Sequence, residues 1–236
     1  SCYYVEIRHT ESLHVFNTPY QCVKCHIMYQ PDRLGASEFM RILQVIAHPR
    51  QGSLSHQFSQ FSAQHLRTMG HEVVEKDLYQ QHFDPVLRSR ELKGYNSVEG
   101  LEPSLKQEVH ELMRADYLIF FYPVWWWERP AILKGWFDRV FVRDVVFKVG
   151  GFGVSGCLKT KGALVVQTFG DSEKSFQTGP GHLSVEGGVD EGTLKVAGVK
   201  KVNFLQYFST YAFKKDDVAK AQKKVVDTFL AMTKNG

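Results

Sequence analysis

Three adjacent tryptophans, Trp125, Trp126 and Trp127, form the segment of this sequence best suited to hold a flat ligand. They follow directly on an apolar run that ends at Pro123. Three neighbouring indoles in a loop cannot all face one core, so at least one is expected to be exposed or to stack on a planar group. The competing interpretation is that all three pack beneath the next helix. We favour a ligand loop, because large rings beside a sheet edge commonly line binding sites.

Two further segments carry groups that suit a phosphate or another close-fitting ligand. In 48–55, Ser53 is expected to cap a helix, and the hydroxyls of Ser53 and Ser55 would join the free amides of its first turn. In 167–182, the glycine of Thr168-Phe169-Gly170 lets the backbone approach a ligand closely. Each signal is weak alone, so their value depends on whether the fold brings them together.

The hydrophobic pattern from residue 40 onward alternates between strands and helices. Strands are predicted over 40–47, 72–78, 116–122, 163–168 and 202–207, and helices over 53–69, 104–113, 130–141 and 216–232. This order predicts one α/β domain over 40–236, a flavodoxin-like five-stranded parallel sheet with helices on both faces. Ligands of such sheets bind at the carboxyl ends of the strands, where 48–55, 123–129 and 167–182 all lie.

Residues 1–39 differ from the rest of the sequence and are expected to be a leader or extension outside the fold. They hold three of the four cysteines and no lasting periodicity. Cys22, Cys25 and His26 match a haem-attachment pattern or half of a zinc site, but no second cysteine pair follows, so no metal is expected. Residues 40–236 keep only Cys157, which allows no internal disulfide and favours a reducing cytoplasm.

Composition and charge exclude several classes of protein. A content of 43% hydrophobic and 13% aromatic residues is typical of a folded domain. No apolar run approaches the roughly 18 residues that span a membrane. The net charge of +4 is spread along the chain, so no nucleic-acid partner is expected. The glycines at 151, 153 and 156 fit a dinucleotide-binding spacing, but a strand is predicted to follow them, so we interpret them as a flexible loop.

The segment 121–141 resembles the central motif of the NAD(P)H:quinone oxidoreductase family of flavodoxin-like, DT-diaphorase-like flavoproteins. The opening strand with Ala47-His48-Pro49 and Ser53 resembles that family's flavin-phosphate loop, and 73–79 resembles its second strand. In order and spacing the resemblance covers nearly all of 40–236, and it is weakest after residue 170.

The resemblance implies a homodimer that binds FAD, or alternatively FMN, and transfers two electrons as hydride from NADPH or NADH to a quinone by a ping-pong mechanism. The implied cofactor-binding residues are His48, Ser53, Leu54 and Ser55 at the phosphate and ribityl side, Pro123, Val124, Trp125, Trp126 and Trp127 along the isoalloxazine ring, and Gln167, Thr168, Phe169 and Gly170 at its pyrimidine edge. The implied substrate-contacting residues are Trp127, Phe147, Val149 and His182.

The sequence also departs from the family pattern. Leu54, Ser55 and Phe169 replace Phe, Asn and Gly, and Phe147 and Val149 stand where animal members carry tyrosines. Without those tyrosines, the tyrosine–histidine proton relay of the family is incomplete here. His182 is then the candidate catalytic proton donor; the alternative is an exposed loop histidine.

Two other functions remain open. One is a flavin-binding ancillary subunit of a potassium-efflux system; the other is a flavodoxin-type electron carrier, for which an acidic surface would be typical.

Overall fold

The computed structural model describes residues 38–151, 153–179 and 182–234, without the side chains of residues 182–184, 186, 190 and 191. The expectation of a leader over 1–39 and the reading of Cys22, Cys25 and His26 lie outside these residues, apart from the last two positions of the leader. All structural statements concern the described part of the chain.

The elements follow the alternation that the sequence predicts. The strands are β1 (Arg41–Ile46), β2 (Glu72–Asp77), β3 (Tyr117–Pro123), β4 (Phe147–Gly150), β5 (Gly153–Gly156), β6 (Gly162–Thr168) and β7 (Val202–Tyr207). The helices are α1 (Leu54–Thr68), α2 (Ser89–Leu92), α3 (Pro103–Arg114), α4 (Ala131–Val140), α5 (Glu173–Thr178), α6 (His182–Val189) and α7 (Lys215–Lys234). A π-helical turn, Asp190–Lys195, and a 3-10 turn, Thr210–Ala212, complete the set.

Five parallel strands form the central sheet in the order β2-β1-β3-β6-β7. Strands β3 and β6 are buried at every position, which explains their nearly continuous apolar sequences. The predicted flavodoxin-like α/β fold is therefore confirmed. The register places Pro123 of β3 beside Thr168 of β6, so the loops that follow these strands start next to each other.

Helices cover both faces of this sheet. On one face, apolar residues of α1 and α7, such as Phe58 and Phe229, pack against Ile42 and Phe121. On the other face, α3 and α4 contribute Val109 and Trp136 to the cluster that contains Leu43, Phe120 and Val165. The two cores hold the sheet rigid beneath its carboxyl edge.

The glycine-rich segment differs from the sequence prediction. Instead of a flexible loop, it forms the second strand of an antiparallel hairpin in which Phe147 pairs with Gly156 and Val149 with Val154. The loop prediction was wrong because the glycines obscured two short strands, one in which Phe147 and Val149 alternate and one in which Val154 pairs with Val149. The prediction that no helix opens on these glycines is confirmed.

Candidate active site at the carboxyl edge of the sheet

The loop after β1 leads into α1 through a glycine turn and a helix cap. Gly52 has a φ of +74°, a conformation that glycine adopts without strain. Ser53 is the N-cap, and its Oγ accepts a hydrogen bond of 3.3 Å from the backbone N–H of His56. The next two backbone N–H groups, of Leu54 and Ser55, have no partner in the described structure. Such free amides at a helix start favour an anion.

The hydroxyl of Ser55 is a buried polar group in the first turn of α1. The residue is 1% exposed, and its Oγ has no hydrogen-bond partner among the described residues. Buried hydroxyls are nearly always paired in native proteins. Together with the two amides, this hydroxyl points to a ligand oxygen beside the loop, as the sequence predicts for a phosphate.

Behind the same loop lies a chain of three side chains that the sequence analysis missed, of which Ser53 and His56 are buried and Asp77 is partly buried. The Oγ of Ser53 lies 2.8 Å from Nδ1 of His56, and Nε2 of that ring lies 2.8 Å from Oδ2 of Asp77 at the end of β2. Burial raises the pKa of Asp77, but hydrogen bonds from the Gln80 N–H, His56 and Gln51 outweigh it, so the pKa lies below its usual value. Asp77 is thus a carboxylate that orients the imidazole.

The tryptophan segment forms a tight two-residue turn. Trp125 and Glu128 pair through two main-chain hydrogen bonds, and both central residues, Trp126 and Trp127, have positive φ. This geometry, typical of a type I′ turn, usually requires Asn or Gly. Trp126 is 97% exposed and Trp125 43% exposed, as expected if the indoles face a ligand rather than the core.

Trp127 points to a different environment from its two neighbours. Its ring stacks on Phe176 of α5, with centroids 5.6 Å apart and 23° between the planes. Phe176 in turn packs with Phe169 and Phe208. Trp127 therefore anchors the turn to the aromatic cluster, while Trp125 and Trp126 stay at the surface.

An open cavity of about 550 Å³ lies between the loops, within the usual range of small-molecule sites. It brings together seven of the predicted cofactor-binding residues and one that the sequence analysis missed, Thr210: the lining consists of His48, Pro123, Val124, Trp125, Trp126, Thr168, Gly170 and Thr210. Burial lowers the pKa of His48, and nearby His56 and Arg50 lower it further, so His48 faces the cavity as a neutral ring. Its Nδ1 accepts a 3.0 Å hydrogen bond from the backbone N–H of Arg50.

Two predicted residues of the third loop are turned away from this cavity. The side-chain amide of Gln167 is fully buried. Its Nε2 donates a 2.8 Å hydrogen bond to the hydroxyl of Tyr122, and its Oε1 accepts a 3.0 Å hydrogen bond from Nε2 of Gln206. Phe169 is 5% exposed and packs on Phe208 with centroids 4.6 Å apart. Its bulk occupies the space beneath the loop, while the backbone O of Phe169 accepts hydrogen bonds from the backbone and side chain of Thr210. Both residues support the loop from below.

The predicted substrate-contacting residues lie in other places. Phe147 lines a second cavity of about 460 Å³ with Arg129 and Phe137, and Val149 is 49% exposed on the hairpin. His182 begins α6, but its side chain is outside the described residues. Among the residues described, no group of side chains is arranged to hold a metal ion, and no helix is long and apolar enough to cross a membrane.

Comparison with known proteins shows the family. Residues 40–230 match the family model for the flavodoxin-like fold, so the chain belongs to this family. It is 32% identical over 152 residues to the ribosyldihydronicotinamide dehydrogenase [quinone] of Rattus norvegicus, covering 58% of this chain and 66% of the relative. It is 29% identical over 171 residues to an uncharacterized NAD(P)H oxidoreductase of Haemophilus influenzae, covering 70% and 82% of the two chains.

A solved structure supports the same relationship. The NAD(P)H:quinone oxidoreductase from Methanothermobacter marburgensis superposes with a TM-score of 0.70 and 25% identity, covering 80% of this chain and 96% of that one. The chain spans just under two thirds of the rat relative. The resemblance to quinone oxidoreductases inferred from the sequence is confirmed by these relatives.

Proposed function

We propose that the protein is a flavin-dependent NAD(P)H:quinone oxidoreductase. The observation that carries this proposal is the buried hydroxyl of Ser55, which, like the two neighbouring helix amides, has no partner among the described residues. The same loop contributes His48 to the cavity walled by Trp125 and Trp126. An anion cradle and an aromatic wall suit a ligand that carries both a phosphate and a planar ring.

The residues present fit a flavin. The amides of Leu54 and Ser55, with the Ser55 hydroxyl, would hold its phosphate, and His48 would lie beside the ribityl chain. Pro123, Val124 and the first two tryptophans would lie along the ring system. Thr168 and Gly170 would close the far edge; Gln167 and Phe169 would act by supporting their loop. FAD is our expectation and FMN the alternative.

A bound flavin supplies the chemistry of accepting hydride from NADPH or NADH and passing two electrons to an acceptor; the protein supplies orientation and electrostatics. Trp126 projects from a turn fixed by the Trp127–Phe176 stack, so it offers one aromatic wall to one flat substrate. The nicotinamide and the quinone would therefore occupy the same place in alternation. His182 remains our predicted proton donor.

We further propose that the working form is a homodimer. The β4–β5 hairpin is a two-stranded sheet separate from the central one, a structure of marginal stability alone. It exposes Val149 at 49% and Val154 at 53%, next to the cavity that Phe147 lines. A second copy that covers this face would bury the valines and let Phe147 and Val149 reach substrate. We expect it to work in the cytoplasm.

The test starts with reconstitution of the purified protein with FAD and, separately, with FMN, followed by steady-state kinetics with NADH, NADPH and a benzoquinone. We expect stoichiometric flavin, two-electron reduction of the quinone and parallel double-reciprocal plots. The His182→Ala variant should lose roughly ten- to a hundredfold or more in rate. Absence of flavin binding would refute the function; intersecting plots would refute only the alternating use of one pocket.

A further inference from the structure

The side chain of His56 is placed to decide which way the Ser53 hydroxyl donates its hydrogen bond. The ring is 3% exposed and lies between Ser53 and Asp77, with 2.8 Å contacts from its two nitrogens. It sits three residues after the helix cap, directly behind the predicted phosphate loop. Nothing in the proposed redox chemistry uses this residue.

Asp77 fixes the proton on one ring nitrogen. Its Oδ1 accepts from the Gln80 N–H at 3.1 Å, and its Oδ2 accepts from Gln51 at 3.2 Å and faces Nε2 of His56. A carboxylate that keeps its charge accepts hydrogen bonds only, so Nε2 carries a hydrogen and donates it. The protonation of the ring is then decided at Nδ1, the atom that faces Ser53.

The hydrogen bonds of the Ser53 hydroxyl can be counted one by one. A hydroxyl donates one hydrogen bond and accepts two. One acceptor site takes the backbone N–H of His56. With a neutral ring, the hydroxyl donates to Nδ1, and only a lone pair is left for the ligand side. With a doubly protonated ring, Nδ1–H donates to Ser53, and the hydroxyl proton is free to donate outward.

We propose that His56 is a positioning residue for the cofactor. When the anionic phosphate of the flavin binds, His56 takes up one proton from solvent at Nδ1 and thereby turns the Ser53 hydroxyl toward that phosphate. The proposal rests on the proposed flavin function and adds to it. The phosphate then accepts a hydrogen bond from the Ser53 hydroxyl and lies near the positively charged His56 ring, whose charge the Asp77 carboxylate balances.

The charged and titratable groups around His56 agree with this assignment. Asp77 faces it from β2, and the ring of His48 lies 6.2 Å away, centroid to centroid, in the loop that also carries Arg50. His48 already accepts a hydrogen bond at Nδ1 from the Arg50 N–H, so protonation at that atom would break a bond. Of the two imidazoles, His56 is the one that can gain a proton without losing a partner.

The test is calorimetric titration of the flavin-free protein with FMN and with riboflavin, which lacks the phosphate. Titrations at pH 7 to 8 in buffers of different ionisation enthalpy report protons taken up. We expect proton uptake with FMN that approaches one proton, no proton uptake with riboflavin, and an affinity for FMN that falls as the pH rises.

The His56→Gln variant should abolish the proton uptake. It should lower the affinity for FMN about tenfold or more, the worth of a charge-assisted hydrogen bond, without changing the affinity for riboflavin. His65→Gln, exposed on the same helix, should behave as wild type.

Nitrogen NMR of the imidazole rings in the wild-type protein provides a second measurement that needs no variant. The His56 ring should carry a proton on Nε2 alone in the free protein and on both nitrogens with FMN. Three results would overturn the proposal while FMN binding stands. The first is proton uptake that survives His56→Gln, the second is proton uptake that disappears only in His48→Gln, and the third is a His56 ring whose protonation FMN does not change. Failure to bind either flavin would instead overturn the proposed function.

Discussion

Trp125 and Glu128 face each other across a two-residue turn and are joined by main-chain hydrogen bonds of 2.9 and 3.0 Å. The residues between them, Trp126 and Trp127, have φ values of 51° and 63°. Left-handed backbone costs a bulky residue roughly 1–2 kcal/mol, and strain of this kind concentrates at functional sites. The fold is therefore less stable than an Asn-Gly turn would make it, and the indole of Trp126 gains nothing from burial in return.

Replacing Trp126 by Asn should separate stability from function. The variant relieves left-handed strain at a residue that is 97% exposed, so we expect the free energy of unfolding to rise by roughly 1 kcal/mol in urea titrations. Flavin affinity or quinone turnover should fall, because the aromatic wall is lost. Trp127→Asn is the matched control: it relieves similar strain but loses the stack on Phe176, so it should not be stabilising. A destabilised Trp126→Asn protein with normal turnover would contradict the assignment.

Ser55→Ala should stabilise the flavin-free protein and weaken its hold on the cofactor phosphate. The hydroxyl is buried and has no hydrogen-bond partner among the described residues, so its removal relieves an unmet hydrogen bond, worth about 1 kcal/mol or more in unfolding experiments. FMN affinity should fall by about tenfold, with riboflavin unaffected. Ser59→Ala provides the contrast, since Ser59 donates a 2.9 Å hydrogen bond to Gln44 and its loss should destabilise. Equal effects of the two substitutions on stability would count against a ligand-facing Ser55.

The sequence was sufficient to predict the five strands, their parallel arrangement and the edge at which the loops meet. Continuous apolar runs such as β3 and β6 have few alternatives to a buried parallel strand. Because carboxyl ends of parallel strands share one edge, His48, Trp125 and Thr168 could be grouped before their distances were known.

The contacts beneath the loops could not be predicted in the same way. His56 meets Asp77 because Ile46 pairs with Asp77 in the sheet, and that register is not visible in either segment alone. The prediction placed Phe169 near the ligand from its position in the loop, whereas packing against Phe176 and Phe208 decides where such a ring goes. Side-chain direction depends on tertiary neighbours, which local patterns do not contain.

Gly179→Ala should disturb the tryptophan turn from outside the cavity. A Cβ at this position would lie 2.1 Å from the end of the Trp127 ring, so the ring must shift off Phe176. We expect a loss of roughly 1–3 kcal/mol in stability, as for other overpacked sites, together with altered tryptophan fluorescence and weaker flavin binding. Gly150→Ala, where a Cβ would meet nothing within 4 Å, is the control and should change stability by less than about 0.5 kcal/mol. Indistinguishable variants would show that Trp127 is not fixed by this contact.

His71 should make the protein sensitive to mild acid. The residue, which follows α1, is 5% exposed, neither ring nitrogen has a hydrogen-bond partner among the described residues, and burial lowers its pKa below the ordinary 6.5. Because the imidazole of His71 binds a proton at a higher pH in the unfolded chain than in the folded protein, the stability contributed by a neutral His71 is complete above about pH 6.5 and declines as the pH falls below it.

His71→Phe removes the titrating group and the unmet hydrogen bonds. It should therefore raise the free energy of unfolding and flatten the decline of that free energy between pH 7 and pH 5 in urea titrations. His65→Phe, at an exposed position of α1, should keep the wild-type slope. If His71→Phe keeps that slope as well, the acid sensitivity arises from another group.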